Sequence, residues 1–154
     1  MGRYAKEPQN KGTFEEAPPG THLGICFRII DLGTQHQEWQ GEDRGASQLL
    51  ISWELPNERV TETNAPFTVS RFYRNSLHEK ATLRKDLEAW RGRSFTSEEL
   101  AGFDLVPILR KPALVSVVAN NVGKSRVAAV LAVLKGTTVP ELENEVVSFF
   151  LDEW

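Results

Sequence analysis

Three histidines (His22, His36, His78) and a single cysteine (Cys26) are the first residues to weigh for chemistry in this 154-residue chain. None has a partner at the H-x-x-x-H or C-x-x-C spacing that a metal site needs. His78 lies beside Glu79 at an expected helix start, where a solvated role suffices. Cys26 falls inside an expected strand and reads as a small core side chain rather than a nucleophile. Asn121-Val122-Gly123-Lys124-Ser125 ends in G-K-S. A phosphate-binding loop also needs an earlier glycine, where this chain has Val118, and a helix after it, where a strand is expected. Neither G-x-S-x-G nor S-x-x-K occurs. Metal-dependent, nucleophilic and nucleotide-hydrolysing enzymes, nucleases included, therefore find no support, and no metal or cofactor is expected.

Cations interleaved with aromatic rings suit a different task. A single-strand binder needs positive charge along the phosphates and ring faces for the bases. Arg71-Phe72-Tyr73-Arg74 supplies both at the end of one expected strand. Lys80, Arg84 and Lys85 follow on an expected helix, Lys111 precedes a later strand, and Lys124 and Arg126 sit in and after a hairpin turn. Arg28 lies opposite the apolar face of the first strand. Trp39 stands in a polar loop with little local core to join. Trp53 and Trp90, by contrast, continue apolar stripes and read as core. Ordinary readings stand beside several of these residues. Arg84 and Lys85 can form a solvated helix face with Glu88 and Asp86, and Tyr73 can be core.

The net charge of −3 hides this distribution. Residues 71–93 hold 7 basic and 3 acidic side chains, and residues 110–135 hold 5 basic and none acidic. Residues 136–154 hold 5 acidic and no basic side chains. Local potential, not the sum, steers a polyanion. The length suits one domain that buries a core without disulfides.

The elements that must position these groups follow from periodicity. Residues 1–20 show none and form an expected flexible arm, with no secretory h-region. Leu23, Ile25, Phe27 and Ile29 alternate with more polar residues, as a half-buried strand does. Residues 33–47 read as a long loop. Leu49, Ile51, Trp53 and Leu55 mark a second strand, and Phe67 to Tyr73 a third. Ser76 and Glu79 have capping-box spacing, and Leu83, Leu87 and Trp90 form a helical stripe that Gly92 closes. Thr96 and Glu99 repeat the box. Ala113–Ala119 and Arg126–Lys135 flank an Asn-rich turn as a hairpin. The order β-β-β-α-β-β predicts a mainly β fold, a five-stranded OB-fold barrel with one helix, over residues 21–136. A five-stranded α+β domain of another topology is the competitor. In the OB-fold, strands two and three and the 1–2 and 4–5 loops form the binding face. No run of about 20 apolar residues offers a membrane span.

Asp31-Leu32-Gly33-Thr34-Gln35, Trp53-Glu54-Leu55-Pro56 and especially Leu77–Arg93 carry a resemblance. Phe95, Glu98-Glu99-Leu100 and Gly102-Phe103-Asp104 continue it. The chain resembles small bacteriophage and prophage proteins regarded as single-stranded DNA-binding proteins of the OB-fold type, across most of residues 18–138. The resemblance implies sequence-independent binding of single-stranded DNA in phage replication or recombination, in the cytoplasm of a bacterial host. It also implies partners among phage or host replication and recombination proteins, reached through an acidic tail with an aromatic tip. Residues 137–154 fit that description: Phe149, Phe150, Asp152, Glu153 and Trp154 are the candidate partner contacts. Val146–Leu151 makes the tail more apolar than a free acidic peptide. A packed terminal helix or a homodimer contact therefore stays open, and so does a protein–protein adaptor that acts through the tail.

Overall fold

The computed structural model describes residues 15–35, 38–39, 42–43 and 46–151. It is built on one long strand, β1 (Gly20–Gln35). Two short strands, β2 (Glu38–Trp39) and β3 (Glu42–Asp43), pair with each other beyond it. β4 (Ala46–Arg59) returns antiparallel to β1, and β5 (Pro66–Arg74) returns antiparallel to β4. Two helices follow, α1 (Thr82–Arg91) and α2 (Ser97–Ala101), with a 3-10 turn at Val106–Ile108. β6 (Pro112–Ala119) and β7 (Ser125–Leu131) form the expected hairpin, and β8 (Val147–Phe149) ends the path.

The result is an open, mainly antiparallel six-stranded sheet in the order β5-β4-β1-β6-β7, with β8 against β1. One edge of β1, from Ile25 to Gln35, pairs with Ala46–Glu54 of β4. The other is divided: residues Gly20–Ile25 pair antiparallel with β6, and Arg28–Ile30 pair parallel with β8. β5 and β7, the two ends of the path, approach each other without a ladder.

Alternation decides what is buried. Leu49, Ile51, Trp53 and Leu55 of β4, Val69 and Tyr73 of β5, and Ala113, Val115 and Val117 of β6 all face one core. Leu83 and Leu87 of α1 close it from the helix side, each contributing about 1.5–3 kcal/mol by burial. Trp53 and Trp90 meet in this core with ring centroids 5.9 Å apart. Cys26 is buried here, and that burial pushes its thiol up to about 12.

Several expectations are corrected. Ser76 and Glu79 form no capping box: the Ser76 hydroxyl accepts the His78 amide, and α1 starts later, at Thr82, behind an N-cap residue, Ala81, that makes no side-chain cap bond. The Thr96–Glu99 box does form, with both reciprocal bonds. Gly92 ends α1 in the left-handed region at φ 76°. The stretch 33–47 is less of a loop than its polarity suggests, since β1 extends to Gln35 and β4 begins at Ala46. β7 ends at Leu131, short of Lys135. Residues 15–19 are no free arm: Ala17 is buried, and Glu15 and Glu16 accept the amides of Thr61 and Ser125. The tail adds a strand rather than a helix.

Candidate nucleic-acid interface

The sheet face opposite the core carries Arg28, Arg74 and the exposed ring of Phe72. On β5 the alternation that buries Val69 and Tyr73 turns Ser70, Phe72 and Arg74 outward. Register then sets three rows across β1, β4 and β5. Arg28 lies beside Ser52, and Ser52 beside Ser70. Ile30 lies beside Leu50, and Leu50 beside Phe72. Gln48 lies beside Arg74.

The first row is a polar chain. Arg28 Nε donates to Ser52 Oγ at 3.0 Å, and the Ser52 and Ser70 hydroxyls lie 2.7 Å apart. Arg28 is thereby tied to β4, and it has no carboxylate partner among the described residues. The second row is apolar, and its outer member Phe72 is 66% exposed. A strand residue of that size left in water gains nothing for folding, whereas its face is open to a planar ligand. The third row ends in Arg74, which is exposed. Arg74 also lines a hollow of about 490 Å³ together with Ser76, His78, Lys80 and Thr82 at the corner between β5 and α1.

The remaining candidates lie elsewhere. Arg71 and Tyr73 point to the helix side. Tyr73 is 3% exposed and donates to Asp86 Oδ2 at 2.5 Å, and Arg71 Nη1 donates to the same oxygen at 3.0 Å. Burial raises Asp86, against the bonds from Tyr73 and Arg71 that lower it; burial likewise raises Tyr73. The trio ties β5 to α1, and the Tyr73 ring has no open face for a base. Arg84 pairs with Glu88 at 3.4 Å, and Lys85 is exposed on α1, so both belong to the helix side as well. Lys111 stands at the start of β6 beside α1, away from Phe72. Lys124 and Arg126 are exposed at the β6–β7 turn, near the Gly20 end of β1, whereas the Phe72 row crosses β1 at Ile30. Trp39 is placed in β2 at the other end of β1, and its side chain lies outside the described residues.

The sequence reading missed Glu54. It lies one row beyond Ser52 on the outer face and is 0% exposed. Its carboxylate accepts the amides of Glu143 (3.0 Å) and Asn144 (2.8 Å) and the Asn144 side-chain amide (2.6 Å). Arg59 pairs with Glu143 at 2.5 Å, which holds that carboxyl below the usual range. From this clamp the chain continues into β8, and the Leu151 amide reaches Asp31. Phe149 and Phe150, two expected partner contacts, remain substantially exposed on this docked segment. Asp152, Glu153 and Trp154 lie outside the described residues. No short motif announces a carboxylate that grips a segment 89 residues later; only a Glu in a strand otherwise rich in apolar residues hints at it.

Among the described residues, no helix is long and apolar enough to cross a membrane. Comparison with protein-family models, curated proteins and solved structures finds no match.

Proposed function

We propose that this protein binds single-stranded DNA without sequence preference, as a non-enzymatic component of phage replication or recombination. The observation that carries the reading is the outer face of β1, β4 and β5. An exposed ring, Phe72, sits there between two cations, Arg28 and Arg74, with Lys80 beside Arg74. Stacking on the ring and phosphate neutralisation by the cations are the two terms such binding needs. The strand path supports an OB-type reading, a partly open barrel whose helix falls between its third and fourth long strands. In that reading Trp39 and Lys124 bracket the face from the 1–2 and 4–5 connections. The likeness of Leu77–Arg93 to phage single-strand binders agrees with it, and the proposal puts the protein in the cytoplasm of a bacterial host.

The test is binding of a labelled single-stranded oligonucleotide across a salt series. The proposal expects affinity to fall linearly in log–log form, with a slope near −0.7 for each phosphate neutralised. No binding, or binding indifferent to salt, removes it.

A further inference from the structure

The polar row across the outer face is more ordered than a solvated cation needs. Arg28 is held at two points. Its Nε donates to Ser52 Oγ at 3.0 Å, and its guanidinium carbon lies 5.3 Å from the centroid of the buried Phe27 ring. Its Nη1 and Nη2 groups have no hydrogen-bond partner among the described residues. The hydroxyls beyond it have a fixed direction. Nε can only donate, so Ser52 Oγ accepts. Ser52 is buried, so its own proton needs an acceptor inside the protein, and Ser70 Oγ stands 2.7 Å away. The proton of Ser70 is then left over. Ser70 is half-buried, and its O–H has no acceptor among the described residues, so it is open to a ligand. The charge on Arg28 polarises the chain and strengthens this terminal donor. The row therefore ends in donors on both sides.

We propose that this row is a preset site for phosphate oxygens of the bound strand. Arg28 contacts them through Nη1 and Nη2, Ser70 adds a neutral donor, and Ser52 is the residue that positions Arg28. The proposal rests on the single-strand reading above and adds two serines to it. The chemistry of the row fits that ligand. A half-buried guanidinium without a counter-charge is costly until an anion meets it, and its planar fork matches two phosphate oxygens. Ser70 and Phe72 share the outer face two residues apart on β5, which sets them about 7 Å apart along the strand. A phosphate held at Ser70 thus leaves its neighbouring base within reach of the Phe72 ring. Holding Arg28 in place beforehand spares the binding step the side-chain ordering that a mobile arginine would lose.

The experiment measures the affinity of the full chain for a labelled single-stranded oligonucleotide across a salt series. Ser70→Ala and Ser52→Ala should each weaken binding about threefold to tenfold, the range of one neutral hydrogen bond, with the salt slope unchanged. Arg28→Ala should weaken it further and make the slope shallower by about 0.7. In the Arg28→Ala background, adding Ser52→Ala should cost less than about twofold more, because the residue it positions is gone. Ser70→Thr keeps the hydroxyl and should bind like the parent. Parent-like affinity in both alanine variants of the serines, or an equal loss from Ser52→Ala with and without Arg28, overturns the inference. Either result leaves salt-dependent binding by the parent, and so the functional reading, standing. A parent that binds no oligonucleotide removes both. Should Ser52→Ala fail to fold, Ser70→Ala and the Ser70→Thr rescue decide the matter.

Discussion

Removing the carboxylate of Glu54 tests how the tail is held. In Glu54→Ala the amides of Glu143 and Asn144 lose the oxygens they now reach at 3.0 and 2.8 Å, and the Asn144 side chain loses its 2.6 Å bond. Hydrogen bonds to a charged acceptor contribute about 1.5–3 kcal/mol each, and an orphaned buried donor costs about 1–3 kcal/mol. Three donors give a gross loss well above 3 kcal/mol. The tail does not have to bear it all, since it can lift off and return its amides to water. The observable loss is therefore capped by the docking free energy of residues 140–151. A loss of at least about 2 kcal/mol is expected, which corresponds to about 30-fold in the opening equilibrium. Native-state hydrogen exchange reads this directly. The amides of Glu143, Asn144 and Val147–Phe149 should exchange at least about 30-fold faster, while Val115 and Val117 in the core keep most of their protection. Unchanged exchange at those tail amides would refute the clamp.

Other consequences follow from the packing. A Cβ on Gly24 would come within 2.8 Å of Val115 Cγ2 and 3.2 Å of Trp53 Cβ, so Gly24→Ala should lower stability by about 1–3 kcal/mol in urea unfolding. Tyr73→Phe removes the donor to Asp86 and should cost about 1–2 kcal/mol in the same assay, without changing the fold seen by circular dichroism. Glu99 is held below the usual carboxylate range by the Thr96 backbone amide and Arg91, and Glu143 by Arg59. Groups whose folded values are depressed stabilise above their unfolded values and lose that contribution as pH falls through the folded ones. Tm should therefore decline below about pH 4.5, and the double variant Glu99→Gln, Glu143→Gln should decline less steeply. Asp86 has the opposite sign: burial raises it, so its cost at neutral pH fades on acidification.

The β elements were legible because alternation in β1, β4, β5 and β6 is the same signal that buries Ile29, Trp53, Val69 and Val115. The helix stripe at Leu83 and Leu87 was legible for the same reason. The Ser76–Glu79 spacing misled because a capping box is only a pair of side chains; Ser76 spends its oxygen on a local turn instead. Strand ends at Gln35 and Ala46 escaped because ladder bonds carry the pairing there, not apolar side chains. At the candidate face, sequence brought Arg71, Phe72, Tyr73 and Arg74 together, but only alternation in the folded sheet separates them. Phe72 and Arg74 go outward, and Arg71 and Tyr73 go to Asp86. The Glu54 clamp joins residues 89 apart and has no local pattern to betray it.

Titration of a labelled single-stranded oligonucleotide into the parent and Phe72→Ala, side by side at one salt concentration, tests the central claim most directly. Loss of one stacking platform should weaken binding by about 1–3 kcal/mol, or roughly 5- to 150-fold. Arg71→Ala, which alters only the helix side, should leave affinity within about twofold once folding is verified. Equal affinity of the parent and Phe72→Ala, or a loss confined to Arg71→Ala, would contradict the assignment of the outer face.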